Sequence, residues 1–305
     1  MESAKDIKNR INSIKNTKKI TKAMEMIAAS KMKKQVKLAL SGKNYAEYAL
    51  SMMINIVRNN KGIKHPFLKK NKDIKNVLII ILTSDKGLCG GYNINIFKSL
   101  NKYIDENKEK NIDAICIGKY AQKYAKKLNI NIVKIFPSFG ESIKIDEIDD
   151  LNNFIKDEFL KEKYDRIKII YTNFISPISN NIKIRRLLPL TEKNMVYLFS
   201  EIGKDDENID ENYYRDKNNV DYIFEPSPEI IFDKVIPILV KIEIYQCILE
   251  SLASEHSLRM IAMKNASDNA GKIVDRLLLK YNKVRQASIT SEILEISSGA
   301  EALNS

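Results

Sequence analysis

Apolar residues in the last quarter of the chain recur at alternating three- and four-residue steps. The members of this stripe are Ile242, Tyr245, Leu249, Leu252, Met260, Met263, Ala270, Val274, Leu277, Tyr281 and Val284. The spacing is helical and close to a heptad seam. A helix over 229–303, at a rise of about 1.5 Å per residue, would be on the order of 100 Å long. A compact domain cannot bury such a helix, so we expect it to pair with another long helix or with a partner.

A second helical stripe begins near the N-terminus. Its members are Ile7, Ile11, Ile14, Thr21, Met24 and Ala28. Ser3 is the predicted N-cap, and Asp6 three residues later completes an approximate capping box. The pattern predicts a helix from residue 4 to about residue 58. We expect the two terminal helices to pair antiparallel, with the C-terminal helix projecting alone beyond Arg285.

The middle of the chain has a different pattern, in which short apolar runs alternate with helical stretches. The predicted strands are 76–83, 113–118, 130–136 and 166–172, with 182–190 as an edge strand and 222–224 as a last short strand; the predicted helices are 93–107, 120–128 and 145–163. This alternation predicts a mostly parallel α/β sheet covered by helices on both sides. The expected fold is therefore an α/β domain inserted between two helices that form a long antiparallel coiled coil. The predicted domains are 1–60, 70–225 with an exposed acidic loop at 201–220, and 229–303.

Charge and cysteine content narrow the possible functions. The chain has 51 Lys and Arg against 39 Asp and Glu, a formal net charge of +12, and lysines are concentrated in residues 1–43. A lysine-rich helix is either a solvated face or a helix inside surroundings of opposite potential. A basic coiled-coil protein that binds nucleic acid is one alternative, although no recognition motif accompanies the charge. The three cysteines are far apart without a CxxC pair, so we expect neither a metal cluster nor a disulfide framework.

One glycine-rich loop is a candidate for chemistry. Residues 84–92 (SDKGLCGGY) follow a predicted strand and precede a predicted helix, a position at which a loop can hold phosphate. The glycine spacing is neither GxGxxG nor GxxxxGK[ST], and no histidine is near Asp85, Lys86 or Cys89 in sequence. A tight turn whose glycines allow unusual backbone angles is the favoured interpretation. A nucleotide-binding enzyme of the doubly wound class is the remaining alternative.

Several motifs in this chain resemble the gamma subunit family of F-type ATP synthases. The resemblance is carried by residues 10–34 (RINSIKNTKKITKAMEMIAASKMKK), 83–93 (TSDKGLCGGYN) and 253–303, within which YNKVRQASIT is the most specific stretch. Shorter matches follow in the expected order: YTNFISP at 171–177, LLPL at 187–190 and YIFEP at 222–226. The resemblance covers nearly the whole chain and begins within its first residues. We therefore expect the bacterial type rather than an imported organellar precursor.

The resemblance implies a rotor shaft that couples proton-driven rotation of the c-ring to conformational change at the catalytic beta subunits. It implies no catalytic residue, cofactor or metal in this chain and no binding of nucleic acid. The implied partners are the alpha and beta subunits of a hexameric ring, the epsilon subunit and the c-ring, with this chain as a single copy in the hetero-oligomer. The implied location is peripheral, at the cytoplasmic face of the bacterial inner membrane, with membrane association only through the c-ring.

Individual residues match family positions that touch these partners. The positions matching contacts with beta are Met24, Arg259, Arg285, Gln286 and Thr290. Tyr222 and Glu225, within YIFEP, match the region that meets epsilon and the loops of the c-ring. If these assignments hold, the contacts have to be remade at each rotational step, so we expect none of them to be very tight individually.

Overall fold

The structure is a computed structural model, and it describes residues 3–41, 66–68, 73–140, 143–190 and 228–304. The helices are α1 (Ala4–Ser41), α2 (Tyr92–Asp105), α3 (Lys119–Lys127), α4 (Asp149–Leu160) and α5 (Pro228–Asn304). The strands are β1 (Asn76–Leu82), β2 (Asn111–Ile117), β3 (Asn131–Phe136), β4 (Arg166–Ser176) and β5 (Ser179–Leu188). Two short 3-10 turns occupy Pro66–Leu68 and Ile145–Ile148.

The strands form one five-stranded sheet in the order β3-β2-β1-β4-β5. The first four strands are parallel, and β5 pairs antiparallel with β4. This confirms the predicted mostly parallel sheet, and it confirms the edge strand predicted at 182–190, which the structure places at Ser179–Leu188. The predicted strand at 222–224, the loop at 201–220 and the continuation of the first helix from residue 42 to 58 lie outside the described residues.

The ends of two helices follow from local side-chain chemistry. Ser3 Oγ lies 2.7 Å from Asp6 Oδ2 and accepts a hydrogen bond from the Asp6 N–H at 3.2 Å, which confirms the predicted capping box of α1. The helix predicted at 145–163 is shorter than expected. It opens with the 3-10 turn because Glu147 reaches back to the Lys144 N–H, and it stops at Leu160 because Glu162 adopts a φ of 53°.

The contacts of the chain group into two compact units, and both long helices contribute to each of them. The helical unit consists of Met1–Ala28 and Arg259–Ser305, and the sheet unit consists of Ala29–Leu258. The domain limits expected from sequence, 1–60, 70–225 and 229–303, stay a prediction. What the grouping adds is that the first part of α5 packs as a helix of the sheet unit.

The sheet unit buries apolar side chains on both faces of the sheet. One face is covered by α2 and α3, and its core includes Ile79, Ile81 and Ile96. The other face is covered by α4 and the first turns of α5, with Leu239, Ile244 and Leu249 in the same cluster as Leu78 and Ile80. Residues 76–82 read as a continuous apolar run because neither face of β1 meets water.

The helical unit is an antiparallel pair. Ile7 and Ile11 of α1 are buried with Val274 and Leu277 of α5, and Tyr281 and Val284 pack at the edge of the same cluster. Further along α1, Lys18 lies beside Gly271, and Met26 lines a groove with Ser267. Residue numbers rise on α1 as they fall on α5, so the predicted antiparallel pairing of the terminal helices is confirmed.

Candidate functional site

The glycine-rich loop after β1 hydrogen-bonds mainly to itself. The Ser84 N–H donates to Asn93 Oδ1 at 3.2 Å, and Asn93 Nδ2 donates back to Ser84 Oγ at 2.8 Å. Ser84 Oγ in turn donates to the Lys86 carbonyl at 2.8 Å. Cys89 is buried against the same group, at 3% exposure. These contacts fix the turn, and they engage the polar side chains that a phosphate would otherwise meet.

Asp85 joins two other segments of the sheet unit. One carboxylate oxygen accepts the Lys119 N–H at the start of α3 at 2.8 Å, and the other accepts the Ser138 N–H after β3 at 3.3 Å. A carboxylate at a helix N-terminus is stabilising because it meets free backbone N–H groups and the positive end of the helix dipole. The geometry therefore gives Asp85 a structural role at the carboxyl ends of the strands.

The crevice that binds ligands in open α/β sheets lies at those strand ends, where the strand order reverses. Here α5 fills it. Tyr92 Oη lies 2.6 Å from Ser251 Oγ, and Ser254 Oγ donates to the Thr172 carbonyl at 3.2 Å. A cavity of about 20 Å³ remains between Leu82, Ile117 and Leu252, space for about one water molecule. The described residues leave no room for a nucleotide at this crevice.

The cysteines of the sheet unit are buried and separate. Cys116 and Cys247 are both 0% exposed. Burial raises the pKa of Cys116 to about 11 and raises that of Cys247 as well, so both thiols stay protonated near neutral pH. Within the described residues, no group of three or more His, Cys, Asp or Glu side chains is placed to hold a metal ion.

A cluster of buried charges lies between β4, β5 and α5. Glu243 and Glu250 of α5 are 1% and 3% exposed, and the Arg185 guanidinium of β5 faces both of them. Glu250 accepts a hydrogen bond from Gln246 Nε2 at 3.1 Å, whereas Glu243 Oε2 has no hydrogen-bond partner among the described residues. Burial raises the pKa of Glu243 to about 8, and Arg185 only partly opposes this shift. Glu243 is therefore largely protonated at neutral pH.

The residues predicted to meet partner subunits lie mainly on the helical unit. Met24 and Arg259 are half-buried there, whereas Arg285, Gln286 and Thr290 are exposed on α5. The Thr290 hydroxyl donates to the Gln286 carbonyl at 2.9 Å. The structure thus places all five on two helices but separates them along their length. Tyr222 and Glu225 lie outside the described residues.

The tail of α5 carries an apolar stripe that sequence reasoning missed. Every residue from Arg285 to Ser298 is exposed, including Ile289 at 46%, Ile293 at 61% and Ile296 at 73%. The heptad seam that ends at Val284 would continue through Ser288, Ser291 and Glu295, all of them polar. Ile289 and Ile296 each lie one residue after a position of that seam, and Ile293 lies one turn beyond Ile289 on the same face. The signal was available, because the apolar positions shift by one residue where the seam becomes polar.

The first helix also exposes apolar side chains away from its seam. Ile20, Met26 and Ile27 are 61%, 59% and 54% exposed. They are interleaved with basic residues, and Lys22 forms an ion pair of 3.0 Å with Glu25 on the same helix. Met24, which the sequence pattern singled out, is less exposed than its neighbour Met26. This helix presents a mixed apolar and basic surface, a composition suited to contact with another protein.

Comparison with known proteins gives one family. The family model described as ATP synthase matches residues 3–303. The chain is 39% identical to the ATP synthase gamma chain of Halothermothrix orenii, over 99% of this chain and 100% of the relative. It is also 39% identical to that of Buchnera aphidicola subsp. Acyrthosiphon pisum (strain Tuc7), over 100% and 99%, and 34% identical to that of Glaesserella parasuis, over 99% and 100%.

Solved structures share the fold at lower identity. A chain in the cryo-EM structure of the Euglena gracilis mitochondrial ATP synthase (OSCP/F1/c-ring, rotational state 3) matches with a TM-score of 0.64 at 17% identity, over 98% of this chain and 94% of that one. A chain in the central stalk/c-ring structure from Tetrahymena thermophila matches with a TM-score of 0.58 at 24% identity, over 81% and 99%. None of the described helices contains a stretch long and apolar enough to cross a bilayer.

Proposed function

Because the chain belongs to the ATP synthase gamma chain family, we propose that it is the central-stalk rotor subunit of an F-type ATP synthase. In this function it couples proton-driven rotation of the c-ring to conformational change at the catalytic beta subunits, during synthesis or hydrolysis of ATP. It contributes no catalytic site of its own. Its proposed location is peripheral, at the cytoplasmic face of a bacterial inner membrane.

The observation that carries this proposal is the form of the helical unit. Two antiparallel helices bury a narrow seam, and α5 then continues past Val284 with every described side chain exposed. An isolated helix of this kind gains little from its own contacts, because most helix stability in proteins comes from packing of an apolar face. Exposed Ile293 and Ile296 therefore favour a surrounding partner, and the proposed partner is the ring of alpha and beta subunits.

The proposed contacts with beta are Met24, Arg259, Arg285, Gln286 and Thr290. The exposed cation Arg285 and the apolar side chain of Ile289 lie one turn apart on α5. Exposed charge pairs contribute at most about 1 kcal/mol, and a helix face of isolated apolar side chains contacts its surroundings without a deep pocket. Such contacts can form and break repeatedly, which a rotating shaft requires.

The remaining proposed contacts are Tyr222 and Glu225, assigned to epsilon and the c-ring by their match to the family motif. The chain would then be present once per complex and would associate with the membrane through the c-ring. The buried thiols and the filled crevice of the sheet unit are consistent with a chain whose work is mechanical.

Co-purification tests the assembly. Affinity-tagged full-length chain should bring down alpha, beta and epsilon with one copy of itself per three copies of alpha and three of beta. Adding it to a mixture of alpha and beta should stimulate ATP hydrolysis. A chain that stays monomeric and never stimulates hydrolysis would contradict the proposal.

A pair of variants tests the tail contact. Arg285→Gln should lower ATP-driven proton pumping in membrane vesicles at unchanged complex yield, because it removes a cation from the face proposed to meet beta. Lys283→Gln is the matched control, since Lys283 is also exposed but points about 200° around the helix. Equal loss of pumping in both variants would argue against a specific contact at Arg285.

A further inference from the structure

Lys168 of β4 is a half-buried amine that no carboxylate of the described residues neutralises. Side chains alternate between the two faces of a strand, so Arg166 and Lys168 lie on the same face as Ile170, which packs in the core covered by α2. Lys168 Nζ lies 4.3 Å from the centroid of the Tyr103 ring of α2. Burial raises the pKa of Tyr103, so this phenol is uncharged near neutral pH. The amine therefore lies against an aromatic wall that partly excludes water.

The charged groups that act on Lys168 within the described residues are all positive. They are Arg166 on the same strand, Arg186 opposite it on β5 and Lys110 before β2. Lys110 is already paired with Glu109 at 3.3 Å, and Arg186 takes part in another interaction. Burial, followed by the charge of Arg166, lowers the pKa of Lys168 to about 8. About a quarter of such amines are neutral at pH 7.5, against about one in a thousand for an ordinary lysine.

Arg166 supplies a hydrogen-bond donor that lacks an acceptor. Its Nε is buried and has no hydrogen-bond partner among the described residues. A buried donor without a partner is costly and is normally satisfied by a ligand or by water. A guanidinium group matches a planar carboxylate, to which it donates two parallel hydrogen bonds. A carboxylate formed on the amine of Lys168 would share the face of β4 on which Arg166 lies, two residues away.

We propose that Lys168 is a site of reversible carbamate formation with carbon dioxide, and that Arg166 binds the carbamate. The ammonium group first releases a proton. The lone pair of the neutral amine then forms a bond to the carbon of carbon dioxide, one C=O electron pair moves to oxygen, and the nitrogen releases a second proton to water. The side chain changes from one positive to one negative charge, which replaces repulsion from Arg166 by attraction. Carbon dioxide is small and uncharged, so neither partial burial nor the nearby cations exclude it. This inference does not depend on the rotor function.

Carbon-13 NMR of the full-length chain, equilibrated with labelled bicarbonate at pH 8, detects carbamate apart from bicarbonate and dissolved carbon dioxide. Trapping with triethyloxonium, followed by mass spectrometry of the peptides, then locates the modified residue. Occupancy at Lys168 should exceed that at Lys123, an exposed lysine of α3, by about tenfold or more, because far more of its amine is neutral. The N-terminal amine, whose ordinary pKa is about 8, is the positive control in the same sample.

Two variants separate the reacting amine from the group that binds its product. Lys168→Arg keeps the positive charge but cannot form the carbamate, so the signal assigned to this position should disappear. Lys123→Arg is the matched control and should leave that signal unchanged. Arg166→Lys keeps a positive charge beside Lys168 but removes the planar guanidinium group, so occupancy at Lys168 should fall about threefold or more. Thermal unfolding of each variant shows that it is folded.

Two results would overturn the site itself. One is an occupancy at Lys168 no higher than at Lys123 while the N-terminal amine is modified. The other is a carbamate signal that persists unchanged in Lys168→Arg, which would assign it to a different amine. Unchanged occupancy in Arg166→Lys would overturn the role given to Arg166, because the carbamate would then form without the guanidinium group.

Discussion

The two compact units bury their apolar side chains in different ways. The sheet unit encloses two cores, and side chains such as Leu78 and Ile79 on adjacent positions are both 0% exposed. The helical unit buries one narrow seam and leaves Leu279 and Ile293 at 74% and 61% exposure. The sheet unit also exposes apolar side chains, such as Ile178 at 85%, but its two cores are enclosed by its own elements, whereas the helical unit buries only the one seam. A substitution should therefore damage the sheet unit through its fold, and the helical unit through its contacts.

The largest effect is expected in the sheet unit, at Gly118. Its φ is 89°, and a Cβ added there would lie 2.3 Å from the Thr83 carbonyl oxygen. Gly118→Ala should lower the free energy of unfolding by roughly 3 kcal/mol or more, because both the backbone angle and the space are unsuitable. Urea unfolding of the full-length chain measures this.

The control for that variant is Gly140→Ala, since a Cβ at Gly140 would meet nothing within 4 Å. It should change the free energy of unfolding by less than about 0.5 kcal/mol. If the two variants lose equal stability, the close approach of Gly118 to Thr83 is not what constrains this turn.

The seam of the helical unit should show a smaller, local effect. Leu277 is 9% exposed and Leu279 is 74% exposed, although they are two residues apart on α5. Leu277→Ala should cost about 2 kcal/mol, whereas Leu279→Ala should stay within about 0.5 kcal/mol. Amide hydrogen exchange over residues 263–284 should show where along the seam protection is lost. Similar protection in both variants would mean that the seam contributes little to holding the pair together.

The buried carboxyl of Glu243 predicts a pH dependence confined to the sheet unit. Its pKa is raised to about 8, so between about pH 4.5 and pH 8 the folded chain holds a proton that the unfolded chain has released. Stability should therefore fall as the pH rises through this window, by on the order of 5 kcal/mol, because each unit of pKa difference is worth about 1.4 kcal/mol. Glu243→Gln should flatten that fall and leave the chain more stable than the unmodified one at pH 8.

Glu292→Gln is the comparison for this titration, since Glu292 is exposed on α5. Its unfolding profile should follow that of the unmodified chain between pH 5 and pH 8. An undiminished slope after Glu243→Gln would assign the pH dependence to a different group, such as Glu250, whose pKa is also raised by burial.

The smallest effect is expected at the end of the helical unit. Removing residues from Ser297 onward takes away residues that lie past the last member of the paired seam, Val284. The free energy of unfolding should change by less than about 0.5 kcal/mol, and proton pumping in membranes should remain largely intact. Leu277→Pro should abolish pumping, because proline inside a helix costs about 3 kcal/mol or more and would interrupt the seam. Complete loss of pumping on truncation would assign an essential contact to the tip.

Sequence periodicity was sufficient for most of the described elements and for the pairing of the terminal helices. The run at 76–83 predicted a strand buried on both faces, and the stripe through Val274 and Leu277 predicted the seam. Periodicity could not predict that α5 is divided between the two units. Leu249 and Leu277 belong to the same helical spacing, although Leu249 packs on the sheet and Leu277 packs on α1. Periodicity says which face is buried and not what covers it.

Contacts between distant segments explain why the glycine-rich loop does not form a phosphate site. The glycine-rich loop lies between a strand and a helix, where a loop can hold phosphate, yet Ser251 and Ser254 occupy the crevice beside it, and they lie far along the chain. No local pattern in the sequence could have predicted this contact between distant segments.

The hydrogen bond between Tyr92 and Ser251 joins residues 159 positions apart. During synthesis, the strands and α2 leave the ribosome long before residues 236–252, which cover one face of the sheet. The apolar side chains of that face then have no cover until α5 has been made, and contacts between distant segments form slowly. Completion of the sheet unit should therefore wait for the C-terminal quarter of the chain, and nascent chains ending before residue 236 should bind chaperones that recognise exposed apolar strands.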